Sequence, residues 1–203
     1  MMTRSIVVAV LMGAGALGAP ASLHGQWHLT AGVGAAGYRG NLRYTMPDSS
    51  LTRLAPLPTF LVGVGVERGG DGPWAGGMTV TFTQYAAGIV GRAIIASEGF
   101  STTFDFAPEL DRRLLRTGTG ASLHLRAGPI LTVHTTGELP TQWGGQLSLV
   151  TVAPLTQRLA LQVRGNLAVQ ESFATAVTQA EFPRSRLKAA WRHLLFVGVR
   201  WRL

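Results

Sequence analysis

The sequence predicts an all-β fold: an eight-stranded antiparallel up-and-down transmembrane β-barrel, preceded by a cleaved signal peptide. Three observations carry this. Eight segments alternate apolar and polar residues with a period of two, which puts one face of each strand in an apolar medium and the other in a polar one. Most of these segments run ten to thirteen residues, longer than the about 5 to 6 usual in globular proteins and close to the roughly 9 to 11 that a tilted strand needs to cross hydrocarbon. Finally, the segment HLLFVGVRWRL sets Leu195, Val197, Val199, Trp201 and Leu203 against Phe196, Gly198, Arg200 and Arg202. An apolar strand of this kind invites aggregation unless its edge closes against the first strand.

In chain order, Met1 to Arg4 form a short basic head, followed by the uncharged SIVVAVLMGAGALGAPA, which ends in the small triplet Ala19-Pro20-Ala21. That is the layout of a secretory signal peptide. Gly13, Gly15, Gly18 and Pro20 interrupt the apolar run before it reaches the about 20 residues a membrane helix needs. The expected division is a signal peptide over 1–25, with cleavage between Ala21 and Gly25, and one barrel domain over 26–203. The chain has no Cys, which excludes a lipid-modified N-terminus, disulfides and thiolate metal sites.

The first strand, Trp27 to Tyr38, puts Trp27, Leu29, Ala31, Val33 and Ala35 opposite His28, Thr30, Gly32 and Gly34. The second, Leu57 to Arg68, sets Phe60, Val62, Val64 and Val66 against Leu61, Gly63, Gly65 and Glu67. In the third, Trp74 to Tyr85, Met78, Val80 and Phe82 oppose Thr79, Thr81 and Thr83; in the fourth, Glu98 to Phe106, Phe100, Phe104 and Phe106 oppose Ser101, Thr103 and Asp105. The fifth, Gly118 to Val133, sets Leu123, Leu125, Leu131 and Val133 against Ser122, His124 and Arg126. The sixth, Trp143 to Ala153, sets Leu147 and Leu149 against Gln146 and Ser148. The seventh, Arg158 to Val169, is the clearest, with Leu159, Leu161, Val163, Leu167 and Val169 against Gln162, Arg164 and Asn166; the eighth is the closing strand. Trp27, Trp74, Trp143 and Trp201 fall at or near strand ends, where an interfacial aromatic girdle belongs.

The closing strand resembles the C-terminal signature of outer-membrane β-barrels, in which alternate apolar residues run back from the last position, although those usually end in Phe or Trp and this chain ends Trp201-Arg202-Leu203. Together with the strand pattern, the resemblance to small outer-membrane barrels of the OmpA, OmpX or OmpW type covers the whole of residues 26–203, and no internal motif narrows it to one family. It implies a bacterial outer-membrane location, assembly by the barrel-assembly machinery through the C-terminal strand, and both termini in the periplasm, with short turns there and long loops outside. The connections agree. The odd ones span 39–56, 86–97, 134–142 and 170–190, the even ones 69–73, 107–117 and 154–157, and two of the even ones are rich in turn formers, RGGDG and PLTQ. The exception, APELDRRLLRT over 107–117, is expected to carry a short helical turn. A soluble barrel with the apolar face inward is the structural alternative.

Gly is abundant at 26 residues, only 14 % of residues are charged, and no later apolar run approaches helical span length, as a lipid-facing barrel requires. The net charge of +8 is spread singly along alternating strands, and a secreted chain meets no genome, so nucleic acid is not an expected partner. Lipopolysaccharide phosphates are the better-placed anion.

Two readings of the polar residues follow. Inward positions collect Glu67, Asp105, His124, Arg126, Gln162, Arg164, Arg200 and Arg202. Because an eight-stranded barrel is only wide enough for side chains to fill, these are expected to pair into a network that plugs the lumen; the alternative is a narrow passive channel in which an arginine excess selects small anions. Arg39, Arg43 and Arg53 in the first loop and Arg184, Arg186 and Lys188 in the last would meet on one rim once the barrel closes, and could hold lipopolysaccharide phosphates.

No enzymatic activity is expected. The best constellation is Ser122 with His124, and Asp105 on the neighbouring strand as the orienting acid. Lipid A deacylases and acyltransferases of the barrel type use His with Ser or Asp, but their local motifs do not occur, and two residues along a strand separate side chains by about 6.6 to 7 Å, too far for a direct hydrogen bond without help. The two G-x-G-x-x-G matches, at Gly13, Gly15, Gly18 and at Gly32, Gly34, Gly37, precede no helix that could receive a phosphate. The histidines are dispersed, so no metal site and no cofactor are expected.

Overall fold

A computed structural model of the protein describes residues 25–45, 51–56, 58–70, 72–90, 94–135, 141–171 and 186–203. Apart from Gly25, the expected signal peptide lies outside them. The strands are β1 (Gln26–Thr45), β2 (Leu51–Pro56), β3 (Thr59–Gly69), β4 (Trp74–Val90), β5 (Ile94–Arg116), β6 (Ser122–His134), β7 (Gln142–Pro154), β8 (Leu159–Gln170) and β9 (Arg186–Arg202). Both β2 and β3 pair with β1 and with β4, so they are two parts of one strand, interrupted between Pro56 and Pro58 where two residues lack an N–H for the ladder. Eight antiparallel ribbons result. Pairing of β1 with β9 closes them, from His28↔Arg202 to Arg43↔Arg186, with one register shift between Gly40 and Leu42. The last residue still joins the closure, its backbone N–H donating to Trp27 O at 2.9 Å.

Each wall is sorted by face. Along β7 and β8 exposed and buried positions alternate almost without a break. The residues that face outward are apolar, including Phe60, 85 % exposed, with Val64, Leu147, Leu167, Leu195 and Val199. The buried positions are mostly Thr, Gln, Asn, Asp, Glu and Arg. A water-soluble barrel needs the opposite sorting, so the apolar face does not form a dry centre: Val64 and Val199 flank Ala31 in register and point away from the lumen. Two tryptophan levels bound this apolar wall, Trp27, Trp74 and Trp201 toward the end that carries the chain termini, Trp143 and Trp191 toward the other. Trp191 and Trp201 are ten residues apart on β9; at about 3.4 Å per residue and a tilt near 40° that is roughly 26 Å, the height of a lipid-facing band.

The expected helical turn over 107–117 is absent, because β5 continues through Arg116. Asp105, Ala107, Glu109 and Asp111 keep alternate buried positions, but a bulge between Arg113 and Leu115 slips the phase. The resulting RRLLR run hides the period of two. The β5–β6 register on either side, Phe106↔Leu131 and Leu110↔Ala127, sets Pro108 opposite Pro129, and neither can donate to the ladder between them. With β5 this long, the three connections at the terminal end are all tight: 70–73, 117–121 and 155–158. Gly120 turns the second with φ of 85°, a left-handed conformation that favours glycine.

Candidate functional site

The lumen is where the polar residues converge. On β5, acids recur at inward positions 105, 109 and 111, and each meets a cation from a distant part of the wall. Asp105 pairs with Arg192 of β9 and accepts from Thr81 Oγ1 at 2.9 Å and Thr132 Oγ1 at 2.5 Å. Glu109 takes a fork from Arg164 of β8, one arm at 3.0 Å, and also accepts from Thr79 Oγ1 at 3.0 Å and Gln146 Nε2 at 2.8 Å. Asp111 accepts from Arg126 Nε at 2.7 Å, while the other end of that guanidinium reaches Glu67 at 2.5 Å and Glu67 in turn holds Arg200. In strand order β5 and β9 lie on opposite sides of the barrel, so the Asp105–Arg192 pair spans its diameter. Ion pairs with every oxygen occupied offset the cost of taking charge out of water, whereas a lone charge there would not be tolerated.

Of the residues expected inside, Glu67, Asp105, His124, Arg126, Gln162 and Arg164 are buried, and Arg200 nearly so. Arg202 is exposed at the rim. The network also contains Glu109, Asp111 and Arg192, which sequence reasoning missed; their signal was present as charges on alternate residues, hidden in the first two cases by the phase slip in β5. With them the lumen network joins four acids (Glu67, Asp105, Glu109, Asp111) to four arginines (Arg126, Arg164, Arg192, Arg200) among the described residues. Within this network the charges of acids and arginines balance. Gln162 Oε1 and Asn166 Oδ1, which have no protein partner, belong to residues bordering a cavity of about 30 Å³, room for about two water molecules.

A second correction concerns Ser122 and His124. The imidazole lies along the strand and closes the gap: Ser122 Oγ is 2.8 Å from His124 Nε2, and His124 Nδ1 is 2.8 Å from Asp111 Oδ1. The acid beside His124 is Asp111; Asp105 is occupied elsewhere, with Arg192.

At the opposite end, the register brings three of the expected rim arginines abreast. Arg43 of β1 has Arg53 as its Cα partner on one side and Arg186 on the other. Arg39 is exposed and stands opposite Trp191. Lys188 falls in β9 beside the register shift, and Arg184 lies outside the described residues. No group of three or more His, Asp or Glu residues that could hold a metal occurs among the described residues.

No protein-family model matches the chain, and none of the curated proteins matches it. Solved structures do. The crystal structure of the outer membrane protein OprG from Pseudomonas aeruginosa aligns with a TM-score of 0.60 at 8 % identity, over 88 % of this chain and 96 % of that one. Neisserial surface protein A aligns with a TM-score of 0.57 at 11 % identity, over 87 % and 97 %. The fold is that of a small outer-membrane barrel. The outer membrane protein AlkL, solved in lipid bilayers, adds a third likeness, with a TM-score of 0.52 at 11 % identity over 92 % and 93 %. At these identities the shared property is the barrel fold itself.

Proposed function

We propose that the protein is an integral outer-membrane barrel with a structural and surface-interaction role, its lumen shut and its Arg-rich outer rim contacting lipopolysaccharide phosphates. Residues 1–25 act as the cleaved leader, the barrel-assembly machinery inserts the chain through its C-terminal strand, and both termini face the periplasm, so the long connections form the surface. The observation that supports this reading is the row Arg53, Arg43, Arg186 across three neighbouring ribbons. Like charges set directly opposite one another on adjacent strands repel. A row of three is favourable when an anion with several oxygens lies over it, and guanidinium groups match phosphate oxygens two at a time.

The test is lipopolysaccharide binding by the refolded barrel in detergent, measured against the Arg43→Ala, Arg53→Ala, Arg186→Ala triple variant. Binding that weakens at least tenfold in the variant and falls with added salt supports the rim; unchanged binding removes it. Planar-bilayer recording addresses the competing reading of a narrow anion conduit. The diameter-spanning pair of Asp105 with Arg192 predicts no steady single-channel current, and a steady current altered by Arg126→Ala or Arg164→Ala would establish the conduit instead.

A further inference from the structure

Ser122, His124 and Asp111 form a hydrogen-bonded chain in the order and polarity of a hydrolytic triad, and it lies in the mouth at the terminal end of the barrel, away from the arginine row. Ser122 opens β6 and His124 follows two residues later, both on the face that looks into the lumen. Asp111 reaches His124 from β5. Its second oxygen accepts from Arg126 Nε at 2.7 Å, so the carboxylate cannot turn away from the ring. An acceptor at Nδ1 fixes the proton there and leaves the Nε2 lone pair facing Ser122 Oγ at 2.8 Å, the arrangement in which a neutral imidazole removes a hydroxyl proton.

Burial is graded along the chain. Asp111 is 2 % exposed and His124 7 %, whereas Ser122 is only half-buried, so the hydroxyl is the member that solvent-borne molecules reach. Its surroundings change character at this level. On β7 the inward residues are Gln142, Gln146 and Ser148 up to the level of Arg126, then Val150 and Val152, the Cα partners of His124 and Ser122. On β5 the Cα partner of Ser122 is Arg116, which is exposed. The register partners of Ser122 are thus an apolar residue on β7 and an arginine on β5.

We propose that this group hydrolyses carboxylic esters with short acyl chains that enter from the terminal mouth. Ser122 Oγ attacks the ester carbonyl carbon and its proton passes to His124 Nε2. The carbonyl oxygen becomes an oxyanion beside Arg116. The carbon–oxygen bond to the alcohol breaks and His124 returns the proton to the leaving oxygen. Water then adds to the acyl-Ser122 carbon with His124 again taking the proton, and collapse releases the carboxylic acid and restores the serine. Ester and water become acid and alcohol, with no other reactant. Val150 and Val152 are buried beside this group and the Arg126–Glu67 pair lies one layer deeper, so the acyl chain stays at the mouth and must be short.

The test uses the full barrel folded in detergent, with heat-modifiable gel migration as the check on folding. A fluorophosphonate probe should add once, at Ser122, as located by peptide mass spectrometry. Hydrolysis of 4-nitrophenyl acetate and butyrate should exceed that of the palmitate. Ser122→Ala and His124→Gln should abolish labelling and lower kcat/KM by about 10³-fold or more. Ser122 is half-buried and makes no ion pair, so Ser122→Ala is the variant expected to fold normally. A folded wild-type barrel that the probe does not label, a label on another residue, or hydrolysis that survives Ser122→Ala would each overturn the proposal, and none of these bears on lipopolysaccharide binding at the opposite rim.

Discussion

On the β9–β1–β3 side of the lumen, toward the loop end, Phe196, Leu194, Ala190, Ala36, Tyr38 and Leu61 form an apolar cluster, out of which Arg192 reaches across to Asp105; on the β4–β8 side the inward residues are Thr81, Asp105, Glu109, Asp111, Arg126, Gln146 and Arg164. The first group fills space by shape. The Phe196 ring lies against three glycines, Gly32, Gly63 and Gly198, where an added Cβ would come within 2.7, 3.1 and 2.9 Å of its atoms. The second group fills space by pairing charge. Shape packing fails in proportion to the volume removed, whereas a charge network fails when one member is deleted and its partner is left buried and alone. The two sides of one small cylinder should therefore answer mutation differently.

The largest effect is expected from Asp105→Ala, which strands Arg192, itself 3 % exposed, in the middle of the lumen. Breaking a buried pair in this way costs about 3 to 5 kcal/mol, read as a shift of the urea midpoint for the folded barrel in lipid vesicles. Replacing both partners, Asp105→Leu with Arg192→Met, should return most of that loss, because an apolar pair of similar volume is often as stable as the ion pair. If the double variant is as unstable as the single one, the network is held by more than its charges.

On the other side, Phe196→Ala should cost about 3 kcal/mol by opening a cavity, and no second substitution among the arginines should rescue it. Gly32→Ala probes the same contact from beneath. Its new methyl would stand 2.3 Å from Val197 O as well as against the Phe196 ring, so about 1 to 3 kcal/mol is expected from overpacking. In the same assay Gly165→Ala, on an exposed position of β8 with open space around it, is the control and should change little.

This division of labour was half legible in the sequence. Alternation exposes both walls wherever lipid lies outside and polar groups inside, so Leu159 to Val169 could be read directly. The strands run on past the tryptophan levels, as in Arg39–Thr45 of β1 and Arg186–Ala190 of β9, and there RGNLRYT and RLKAA show no alternation in the sequence. In β5 the bulge at Leu114 broke the pattern, so Glu109 and Asp111 were read as part of a connection although they are central to the network. The Ser122–His124 contact was missed for a different reason. Backbone spacing along a strand bounds where Cα atoms lie, but an imidazole can bridge that spacing when a carboxylate on the next strand fixes its orientation. Which wall would be apolar inside, with Phe196 seated on glycines from β1, β3 and β9, depends on register and closure and has no local signature.

A surface arginine tests whether an arginine matters by identity or by location. Arg112 lies on the outer face at the terminal end, exposed, as the Cα partner of Trp74, with its guanidinium 5.3 Å from the centre of the indole ring. A cation over an exposed aromatic face contributes about 0.5 to 1 kcal/mol. Arg112→Met should therefore shift the urea midpoint by no more than that, and Trp74→Ala by more, since it also removes an anchor of the apolar band. Arg192, the same residue type inside the lumen, cannot be compared by deletion alone, because Arg192→Met leaves Asp105 buried with only Thr81 and Thr132 to bond it. The loss at Arg192 should exceed the loss at Arg112 several-fold, and it should shrink when Asp105 is replaced in the same chain. Equal losses at the two sites would mean that water reaches Asp105 and Arg192, and the lumen would then be open rather than filled.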